Sequence, residues 1–476
     1  MRNPETPESA RVDVVVIGAG LAGLTAAREV KRLGRSVAIF EAMNRVGGRT
    51  LSHDLDGTLI DLGGTFVGPT QERILALARE LGCDTYPTFE TGEHILQWRG
   101  RLHRFTGTIP KVSAATLLNL AYIRFRLDRL SRSIPLGRPW TARNARKLDA
   151  QTLGSWMRKA GAAQGTIDLM EIAVQISWGC EIDEISLLHV LHYLHSAGGL
   201  DIMLDTGGGA QESHFISGAH RICELLAEGL TGDLALNAPV TRIEWQDDRV
   251  TVHAGDARVQ AKRVIVAVSP AMRAKIQFEP GLPAPWNGVA QRWPQGQVSK
   301  AYAVYDRPFW RGNGLNGQAL SDAGPVCGTF DASPHDSSKG VLLGFIAADK
   351  AREWDALDDA ERRLRALSCF AALFGDAALQ PLGYIDHRWV TDAWIGNGPV
   401  AAAPPLAWTN YGRGLATPIG PIHWAGTETA DRWTGFMDGA VRSGERAARE
   451  ILTSTAREKA LPSSAFQQDA ENRGQP

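Results

Sequence analysis

Three glycines and one glutamate near the amino terminus have the spacing of a dinucleotide-binding site. Gly18, Gly20 and Gly23 follow the apolar stretch VDVVVI, and Glu41 closes a second apolar stretch, SVAIF. In such a set the first glycine allows a tight turn, the second lets the backbone approach a pyrophosphate, and the third lets a helix pack on a strand. Glu41 stands 23 residues after Gly18, close to the ~20 at which a carboxylate accepts a ribose hydroxyl. The spacing therefore predicts binding of an adenine dinucleotide.

A strand, a helix and a second strand must position these residues. VDVVVI is continuously apolar and β-branched, which is typical of a strand buried on both faces of a parallel sheet. From Leu21 to Leu33 apolar residues recur at helical spacing, and Gly34 follows where a helix C-terminal cap would lie. One βαβ unit is therefore predicted over residues 12–41, and its agreement with the glycines and the acid argues against an ordinary turn.

The length and patterning of the remaining chain predict two domains. At 476 residues the chain exceeds the roughly 250 to 300 residues at which single cores usually divide. Residues 111–196 carry helical patterns, and strand patterns return at 240–243, 263–268, 298–305 and 341–345. Near the end, IHWA leads into Gly426 and an amphipathic helix follows from Gly435, which repeats the opening plan. The predicted fold class is α/β, with a Rossmann-like cofactor domain, an α+β substrate domain and a helical subdomain.

Charge, cysteine content and hydropathy exclude several classes of protein. The chain has 51 Lys and Arg against 52 Asp and Glu, which gives no reason to expect nucleic acid or an anionic membrane as a partner. Its five cysteines are scattered without a CxxC spacing, so neither a disulfide framework nor a zinc knuckle is predicted. The opening segment lacks the apolar core of a secretory signal, and no apolar run approaches the ~20 residues of a membrane helix. We expect a soluble cytoplasmic protein with disordered ends at residues 1–11 and 456–476.

Two clusters of side chains on predicted helices are interpreted without assigning a site to them. Three histidines recur at three-residue intervals, but no carboxylate or cysteine at ligand spacing completes a metal site, so we predict no metal and a polar helix face. Four arginines form a basic face that is interpreted as solvated, while contact with an acidic surface of a second subunit, and hence a homodimer, stays open. The clusters are His189, His192 and His195, and Arg124, Arg126, Arg129 and Arg132.

Two paired-glycine segments follow the βαβ unit. Residues 46–50 read VGGRT and residues 61–65 read DLGGT. Paired glycines let backbone N–H groups close on an extended cofactor, and an arginine offsets phosphate charge. With EAMNRVGGRT, DLGGTFVGPTQERIL, PFW at 308–310, PQGQVSKAY around Lys300 and HWAGTETADRWTGFMDGAV, the chain from about residue 12 to residue 452 resembles the flavin-containing monoamine oxidases. The resemblance implies FAD as the dinucleotide, a choice that the first fingerprint leaves open.

The resemblance implies a monoamine oxidase-like two-domain fold and a set of FAD contacts. The FAD-binding domain would comprise residues 12–85, 215–290 and 410–455, and the substrate-binding domain, with its helical subdomain, residues 86–214 and 291–409. Glu41 would bind the adenosine ribose, Arg49 the pyrophosphate region and Val240 the adenine. Residues 63–65 would surround the flavin, residues 427–428 its ribityl and phosphate, and residues 436–437 would start a helix directed at its pyrimidine end. Together with Glu41, Arg49 and Val240, the implied contacts are Gly18, Gly20, Gly23, Gly48, Gly63, Gly64, Thr65, Gly426, Thr427, Glu428, Phe436 and Met437.

The resemblance also implies the catalytic groups. Lys300 matches the family lysine that holds a water near flavin N5, and Trp389 matches a tryptophan stacked beside the ring. Pro399 and Phe436 stand where relatives often place the two tyrosines of an aromatic cage, so one wall is lost and the other lacks its hydroxyl. The substrate-lining residues implied are Phe66, Ile176, Met203, Leu204, Gln211, Gly328 and Phe345.

The implied reaction is oxidation of a neutral amine. The α-carbon passes a hydride to flavin N5, dioxygen takes up the electrons as hydrogen peroxide, and the imine hydrolyses to an aldehyde or ketone and ammonia or an amine. Because Gly328 stands where mitochondrial relatives have a bulky tyrosine, we expect a wider cavity. We expect a bulky or alicyclic, mostly apolar amine as the substrate rather than a slim diamine, because no acidic pair marks the position of a second ammonium. Two alternatives stay open: a related oxidase or desaturase acting on an amino acid, an amide or a pathway intermediate, and a catalytically silent flavin-binding protein.

Noncovalent attachment of FAD is the first testable prediction. Within WIGNGPVAAAPP at 394–405, Gly398 stands where mitochondrial relatives carry the cysteine joined to the flavin, and glycine cannot form a thioether. Acid precipitation of the purified protein should leave the yellow chromophore in the supernatant. Colour retained in the washed pellet would contradict the prediction.

Overall fold

The computed structural model describes residues 10–107 and 112–460. The strands are β1 (Ala10–Ile17), β2 (Val37–Phe40), β3 (Ser52–Leu55), β4 (Thr58–Asp61), β5 (Phe66–Val67), β6 (Thr85–Pro87), β7 (Glu93–Trp98), β8 (Arg101–Phe105), β9 (Ser213–Phe215), β10 (Leu234–Ala235), β11 (Val240–Gln246), β12 (Arg249–Ala254), β13 (Ala257–Val266), β14 (Gln277–Glu279), β15 (Val298–Tyr305), β16 (Leu315–Ser321), β17 (Val326–Asp331), β18 (Gly340–Ala347), β19 (Gly383–Arg388) and β20 (Ile422–Trp424). The helices are α1 (Leu21–Arg32), α2 (Glu72–Glu80), α3 (Ala114–Ser131), α4 (Ala145–Asp149), α5 (Leu153–Lys159), α6 (Gln164–Trp178), α7 (Leu187–Ala197), α8 (Leu200–Leu204), α9 (His220–Glu228), α10 (Ala284–Arg292), α11 (Phe309–Gly312), α12 (Asp349–Asp355), α13 (Asp359–Phe374), α14 (Ala407–Tyr411), α15 (Arg413–Ala416) and α16 (Met437–Ala460). Single 3₁₀ turns lie at Pro139–Thr141, Ala271–Lys275, Asp376–Leu379, Trp389–Thr391 and Thr427–Thr429.

An eight-stranded sheet carries the first predicted site. Its order is β10-β2-β1-β13-β12-β11-β14, with β20 beside β13. β1 runs parallel to β2 and to β13, as the predicted βαβ unit requires. Val14, Val15 and Val16 are at most 1% exposed, because both faces of β1 are covered, which explains its continuous apolar sequence. Since β20 pairs with β13, segments from both ends of the described chain meet in this one sheet.

Helices α1 and α16 pack against each other on this sheet at very close range. A Cβ atom on Gly444 of α16 would lie 2.4 Å from the carbonyl oxygen of Ala22 in α1. The two helices therefore touch through their backbones, and the small residues of both sequences make that approach possible. The contact holds the amino-terminal helix against the carboxy-terminal one.

A seven-stranded sheet forms the centre of the second unit. Its order is β19-β15-β18-β17-β16-β7-β8, and every residue of β15 and β18 is buried. Lys300 lies opposite Phe345 of β18 and His387 of β19, on the strand next to one edge of the sheet. Because side chains alternate along a strand, Lys300 shares a face with Tyr302 and Val304, and the latter two pack with Ile60 and Leu62 at the end of β4. The other face packs against α12 and α13.

The expected helical subdomain is present as α3 to α8, which share one apolar core. Its basic face is only partly solvated. Arg124 forms an ion pair with Asp201 of α8, and the Arg126 guanidinium lies 5.3 Å from the centre of the Trp156 ring. Arg129 and Arg132 are exposed, as interpreted from the sequence.

The ordered chain extends further at both ends than expected. β1 begins at Ala10, and α16 continues to Ala460, so residues 10–11 and 456–460 belong to regular elements instead of disordered ends. The remainder of both expected tails, residues 1–9 and 461–476, lies outside the described residues. Among the helices of residues 10–107 and 112–460, none combines the length and the apolar character needed to cross a bilayer.

The helix contact at Gly444 leads to a prediction about stability. Gly444→Ala improves helix propensity by about 1 kcal/mol, but it forces two backbones apart, and such overpacking typically costs about 1–3 kcal/mol. We expect the thermal unfolding midpoint of the FAD-loaded protein to fall. Gly232→Ala is the control, because its Cβ would meet no atom within 4 Å. Equal midpoints for the two variants would contradict the close packing.

Candidate cofactor and active site

One long cavity runs from the carboxyl end of β1 to the central strands of the second sheet. Most of the predicted site residues lie in its wall, although they come from distant parts of the sequence. Four do not: Gly23 and Glu428 lie behind the wall, Leu204 is 36% exposed at the end of α8, and Gly328 lies beneath Ile176. The predicted residues in the wall are Gly18, Gly20, Glu41, Gly48, Arg49, Gly63, Gly64, Thr65, Phe66, Ile176, Met203, Gln211, Val240, Lys300, Phe345, Trp389, Pro399, Gly426, Thr427, Phe436 and Met437.

The amino terminus of α1 opens into this cavity. Gly20 precedes the helix in an extended conformation, and no side chain caps the free N–H groups of the first turn. Gly18 has a φ of +98°, which favours glycine, and a Cβ on Gly23 would lie 1.9 Å from the Gly18 carbonyl oxygen. The third glycine thus serves helix–strand packing, and the uncapped N–H groups suit a pyrophosphate.

Glu41 lies at the carboxyl end of β2 with a buried carboxylate. Its oxygens accept hydrogen bonds from the backbone N–H groups of Ala19, at 2.6 Å, and Met43, at 2.9 Å. Burial raises the pKa of Glu41, and these hydrogen bonds oppose the rise. The two bonds fix the carboxylate at the wall beside the uncapped helix, where a ribose hydroxyl would follow a pyrophosphate.

Ser269 provides an independent test of whether an adenine dinucleotide fits. Its hydroxyl is buried in the cavity wall and has no hydrogen-bond partner among the described residues. Buried polar groups are rarely left unpaired in native proteins. An unpaired hydroxyl and an uncapped helix terminus in the wall of one cavity both fit a large polar cofactor, so the residues present suit FAD.

Arg49 and Glu428 form an ion pair beneath the middle of the cavity, in which the Glu428 side chain is buried and the Arg49 side chain is 25% exposed. The Arg49 Nη1 and Nη2 atoms lie 2.6 and 3.0 Å from the two Glu428 oxygens, and Nη1 also donates to the Pro399 carbonyl at 3.0 Å. Burial opposes ionisation of Glu428, but the charge and hydrogen bonds of Arg49 outweigh it, so the pKa of Glu428 lies below its usual range. Glu428 does not line the cavity. It holds the side chain of Arg49, which does form part of the wall.

Lys300 is held by three oxygen acceptors from one short segment. Its Nζ donates to the carbonyl oxygens of Gly63, at 2.6 Å, and Asp61, at 3.1 Å, and to Thr65 Oγ1 at 2.6 Å. Burial lowers the pKa of Lys300 to about 7, and the Asp61 charge opposes this fall. The amine thus joins the second sheet to the DLGGT segment and is poised to change its charge near neutral pH.

Aromatic side chains surround the part of the cavity near Lys300. Trp389 Nε1 donates to the Leu62 carbonyl at 3.2 Å, which fixes its indole in the wall. Phe436 is positioned by Thr427, whose hydroxyl donates to the Phe436 carbonyl, and its ring lies 5.7 Å from that of Tyr193. Sequence reasoning missed Tyr193 because α7 reads as an ordinary buried helix. Gly435 leaves space for this tyrosine, since a Cβ there would lie 2.1 Å from its hydroxyl oxygen.

The substrate side of the wall is largely apolar. Phe66, Ile176, Met203 and Phe345 lie in this part of the wall, and Phe330 joins them. Gly328 acts from behind, because a Cβ there would lie 2.6 Å from Ile176 Cδ1. It therefore determines how far Ile176 can retreat from the cavity.

The interpretation of the three histidines as a polar helix face is wrong. His189 and His192 are 4% and 1% exposed, within the apolar core of the helical layer. His189 Nδ1 accepts a hydrogen bond from Trp408 Nε1 at 3.1 Å, and burial lowers the pKa of His189 to about 3, so the ring is neutral. Over the described parts of the chain, no group of three His, Cys, Asp or Glu residues is arranged to hold a metal ion.

The fold and the cavity define a flavin-type dinucleotide oxidoreductase, and comparison with known proteins gives its family. Residues 21–452 match the family described as flavin containing amine oxidoreductase. The chain is 50% identical over 440 residues, covering 92% of its length and 96% of the relative, to the Mycobacterium tuberculosis protein named "Putative flavin-containing monoamine oxidase AofH". It is 34% identical to the L-amino acid dehydrogenase of Synechocystis, over 93% of this chain and 95% of the relative.

Two solved structures have the same fold. A putrescine oxidase bound to putrescine superposes with a TM-score of 0.90 and 31% identity, covering 94% of this chain and all (100%) of that one. Cyclohexylamine oxidase from Brevibacterium oxydans superposes with a TM-score of 0.89 and 30% identity, covering 94% and 99%. The chain belongs to the flavin-containing amine oxidoreductase family, and it is an FAD-dependent oxidoreductase that acts on amines.

The buried carboxylate at the cofactor end leads to a prediction about FAD affinity. Glu41→Gln keeps the shape of the side chain but removes the charge that strengthens its hydrogen bonds, and such bonds contribute about 1.5–3 kcal/mol. We expect FAD to bind the apoprotein about tenfold more weakly or worse, measured by fluorescence titration. Glu29→Gln on the partly exposed face of α1 is the matched control. Equal affinities in the two variants would argue against Glu41 as a cofactor ligand.

Proposed function

We propose that this enzyme oxidises a bulky or alicyclic, mostly apolar amine at the carbon bearing nitrogen. Bound FAD supplies the hydride acceptor at N5 and the subsequent reduction of dioxygen to hydrogen peroxide. Oxidation of the amine gives an imine, which hydrolyses to an aldehyde or ketone and ammonia or an amine. The observation that carries the substrate class is the apolar, carboxylate-free wall around Phe66, Ile176 and Phe345.

The distribution of charge in the cavity supports a monoamine. Of the wall residues in the described chain, Glu41 alone has a carboxylate, and it lies at the opposite end, beside α1. A second ammonium of a diamine would be buried among Phe66, Phe330 and Phe345 without a counter-charge, which is strongly unfavourable. The same argument favours the neutral form of the reacting amine.

Two polar groups are suitable for orienting that amine. Gln211 Nε2 donates to the Met203 carbonyl at 3.1 Å, and its Oε1 has no hydrogen-bond partner among the described residues. This oxygen can accept a hydrogen bond from an N–H group of the substrate. The Tyr193 hydroxyl lies beside Phe436, on the side where the aromatic cage of relatives would have a tyrosine. We infer that it supplies the polar contact that Phe436 lacks.

The residues around the cofactor would lower the barrier by positioning and by electrostatics. We infer that the α1 turn, Glu41 and Val240 hold the adenosine end, and that the Gly63–Gly64 backbone and Met437 enclose the ring. Lys300 would fix a water or a proton next to N5, and Trp389 and Phe436 would confine the substrate between them. The apolar wall would exclude water and so protect the imine from hydrolysis until it leaves the cavity.

An amino acid substrate is less well supported. Its carboxylate requires a free cationic clamp, and Arg49, the sole arginine in the described cavity wall, is already bonded to Glu428. An amide or another pathway intermediate would fit the apolar wall. Such compounds therefore belong among the substrates tested.

A panel of substrates tests the proposal. Hydrogen peroxide should form with cyclohexylamine-like and aryl-alkyl amines, and much more slowly with putrescine or α-amino acids. Under anaerobic conditions the preferred amines should bleach the flavin absorbance. Preference for diamines or amino acids would overturn the substrate class, and a flavin that no amine bleaches would favour a silent flavin-binding protein.

Gly328 provides a sharper prediction about cavity width. Gly328→Ala pushes Ile176 toward the substrate, so kcat/KM for a bulky alicyclic amine should fall about tenfold or more, while a slim n-alkylamine is affected much less. Gly281→Ala is the control, because its Cβ would meet no atom within 4 Å. A proportional loss for both amines would indicate general damage and contradict the role in selectivity.

A further inference from the structure

A second cavity, of about 230 Å³, lies next to the flavin cavity, and Thr65 lines both. Its walls come from the β3–β4 hairpin, β6, β9, β15 and the loop that follows β17. They are more polar than those of the first cavity and include Asp61, Thr65, Tyr86, His214 and Tyr302. The loop residues His335, Asp336 and Ser338 line it where the protein surface begins, and Asp336 and Ser338 are exposed there. A space of this size and polarity can hold several ordered waters.

Thr65 is the element common to both cavities. Its hydroxyl is 2.6 Å from Lys300 Nζ and also lies within hydrogen-bond distance of the Asp61 and Gly63 carbonyls. Phe66, the next residue, faces the first cavity, and its ring lies 4.8 Å from that of His214 in the second. Only one layer of side chains therefore separates the substrate space from the polar one.

Asp61 is the buried carboxylate of the second cavity. Its Oδ1 accepts hydrogen bonds from Ser52 Oγ, at 2.5 Å, and from the Ala219 N–H, at 3.1 Å. Burial raises the pKa of Asp61 to about 6, while these bonds and the Lys300 charge oppose the rise. With the pKa of Lys300 at about 7, the pair changes its proton content near neutrality.

Three of the neighbouring groups do not compete for that proton. Burial lowers the pKa of His214 to about 4 and raises the pKa of both Tyr86 and Tyr302, so these three side chains stay neutral at pH 7. The titratable and charged groups that face the pair from other elements are Tyr86 of β6, His214 of β9, Tyr302 of β15, Arg311 of α11, Asp331 of β17, and His335 and Asp336 of the loop.

The proposed reaction creates a need for such a pair. An amine arrives from neutral solution as an ammonium ion and must lose one proton before its α-carbon can give up a hydride. Oxygen then takes the hydride equivalent and one proton to become hydrogen peroxide. One proton must therefore leave the substrate and be returned later in each turnover, across an otherwise apolar wall.

We propose that the second cavity is a proton passage in which Lys300 and Asp61, linked through Thr65 and cavity water, take the proton from the substrate ammonium and exchange it with solvent at residues 334–338. This inference rests on the proposed amine oxidation for its purpose. The coupling between Lys300 and Asp61 does not depend on that reaction, so it can be tested without any substrate.

The first experiment titrates the absorbance spectrum of the resting FAD-loaded protein between pH 5.5 and 9. The charge on Lys300 perturbs the flavin, so the wild type should show a midpoint near 7. Asp61→Asn keeps the shape of the side chain but removes the charge that stabilises the Lys300 ammonium, and the midpoint should fall by about one unit or more. Ser52→Ala, which raises the Asp61 pKa, should lower the midpoint less. Asp54→Asn, exposed on the same hairpin, should leave it unchanged, and an unshifted midpoint in Asp61→Asn would overturn the coupling.

The second experiment tests the passage itself. Ala332→Phe fills the second cavity, whose lining includes Asp61 but not Lys300, so the Asp61 charge is kept and the spectral midpoint should fall less than in Asp61→Asn. The rate of flavin bleaching by an amine at pH 7 should fall about tenfold, a loss equivalent to about 1.4 kcal/mol of barrier, and added imidazole should partly restore it. An unchanged bleaching rate in this variant would overturn the passage. If no amine bleaches the wild-type flavin, the proposed function fails, while the titration still decides whether Lys300 and Asp61 are coupled.

Discussion

The partly buried ion pair between Arg49 and Glu428 is the interaction on which the cofactor site depends. Its partners are 379 residues apart in sequence, and the pair joins the first glycine-rich segments to the final helix region. Removing two charges from water is costly, so the pair is favourable only because its geometry is bidentate and Pro399 accepts a further hydrogen bond. Loss of one partner would leave an uncompensated charge beneath the cavity. The ion pair thus fixes the relative positions of segments that no local motif could bring together.

Local patterns were sufficient to predict the parts of the site that backbone geometry determines. The glycines of the β1–α1 turn and Glu41 lie as their spacing predicted, because a tight turn and a helix terminus are properties of a short stretch of chain. The strand β1 and the helix α16 were likewise predictable from continuous or periodic apolar sequence. The family resemblance added Lys300 and Trp389 as site residues. Neither residue belongs to a local motif that would have marked it as functional.

Features that depend on packing between distant elements could not be predicted in this way. Tyr193 faces the cavity because Gly435, from another part of the chain, leaves room for it. The histidines of α7 look polar in sequence but are buried by tryptophans of remote segments. Gly328 was predicted to line the cavity, but it lies behind Ile176 and leaves the space that the Ile176 side chain occupies. Asp61 reads as a strand-end residue, and only the tertiary fold places it beside a second cavity.

The discontinuous construction of the first sheet has a consequence for biosynthesis. β20 and α16 come from the end of the described chain. β20 pairs with β13 and α16 packs against α1, and both of these partners are synthesised much earlier. Ribosomes add roughly 5–20 residues per second, so the early strands must wait without their final neighbours while the rest of the polypeptide is made. During that interval their apolar edges are exposed to the translation machinery and to chaperones. Because residues 426–440 contribute to the cofactor cavity, its wall is complete only after these segments have been made, and a prematurely terminated polypeptide would lack one side of its own nucleotide fold.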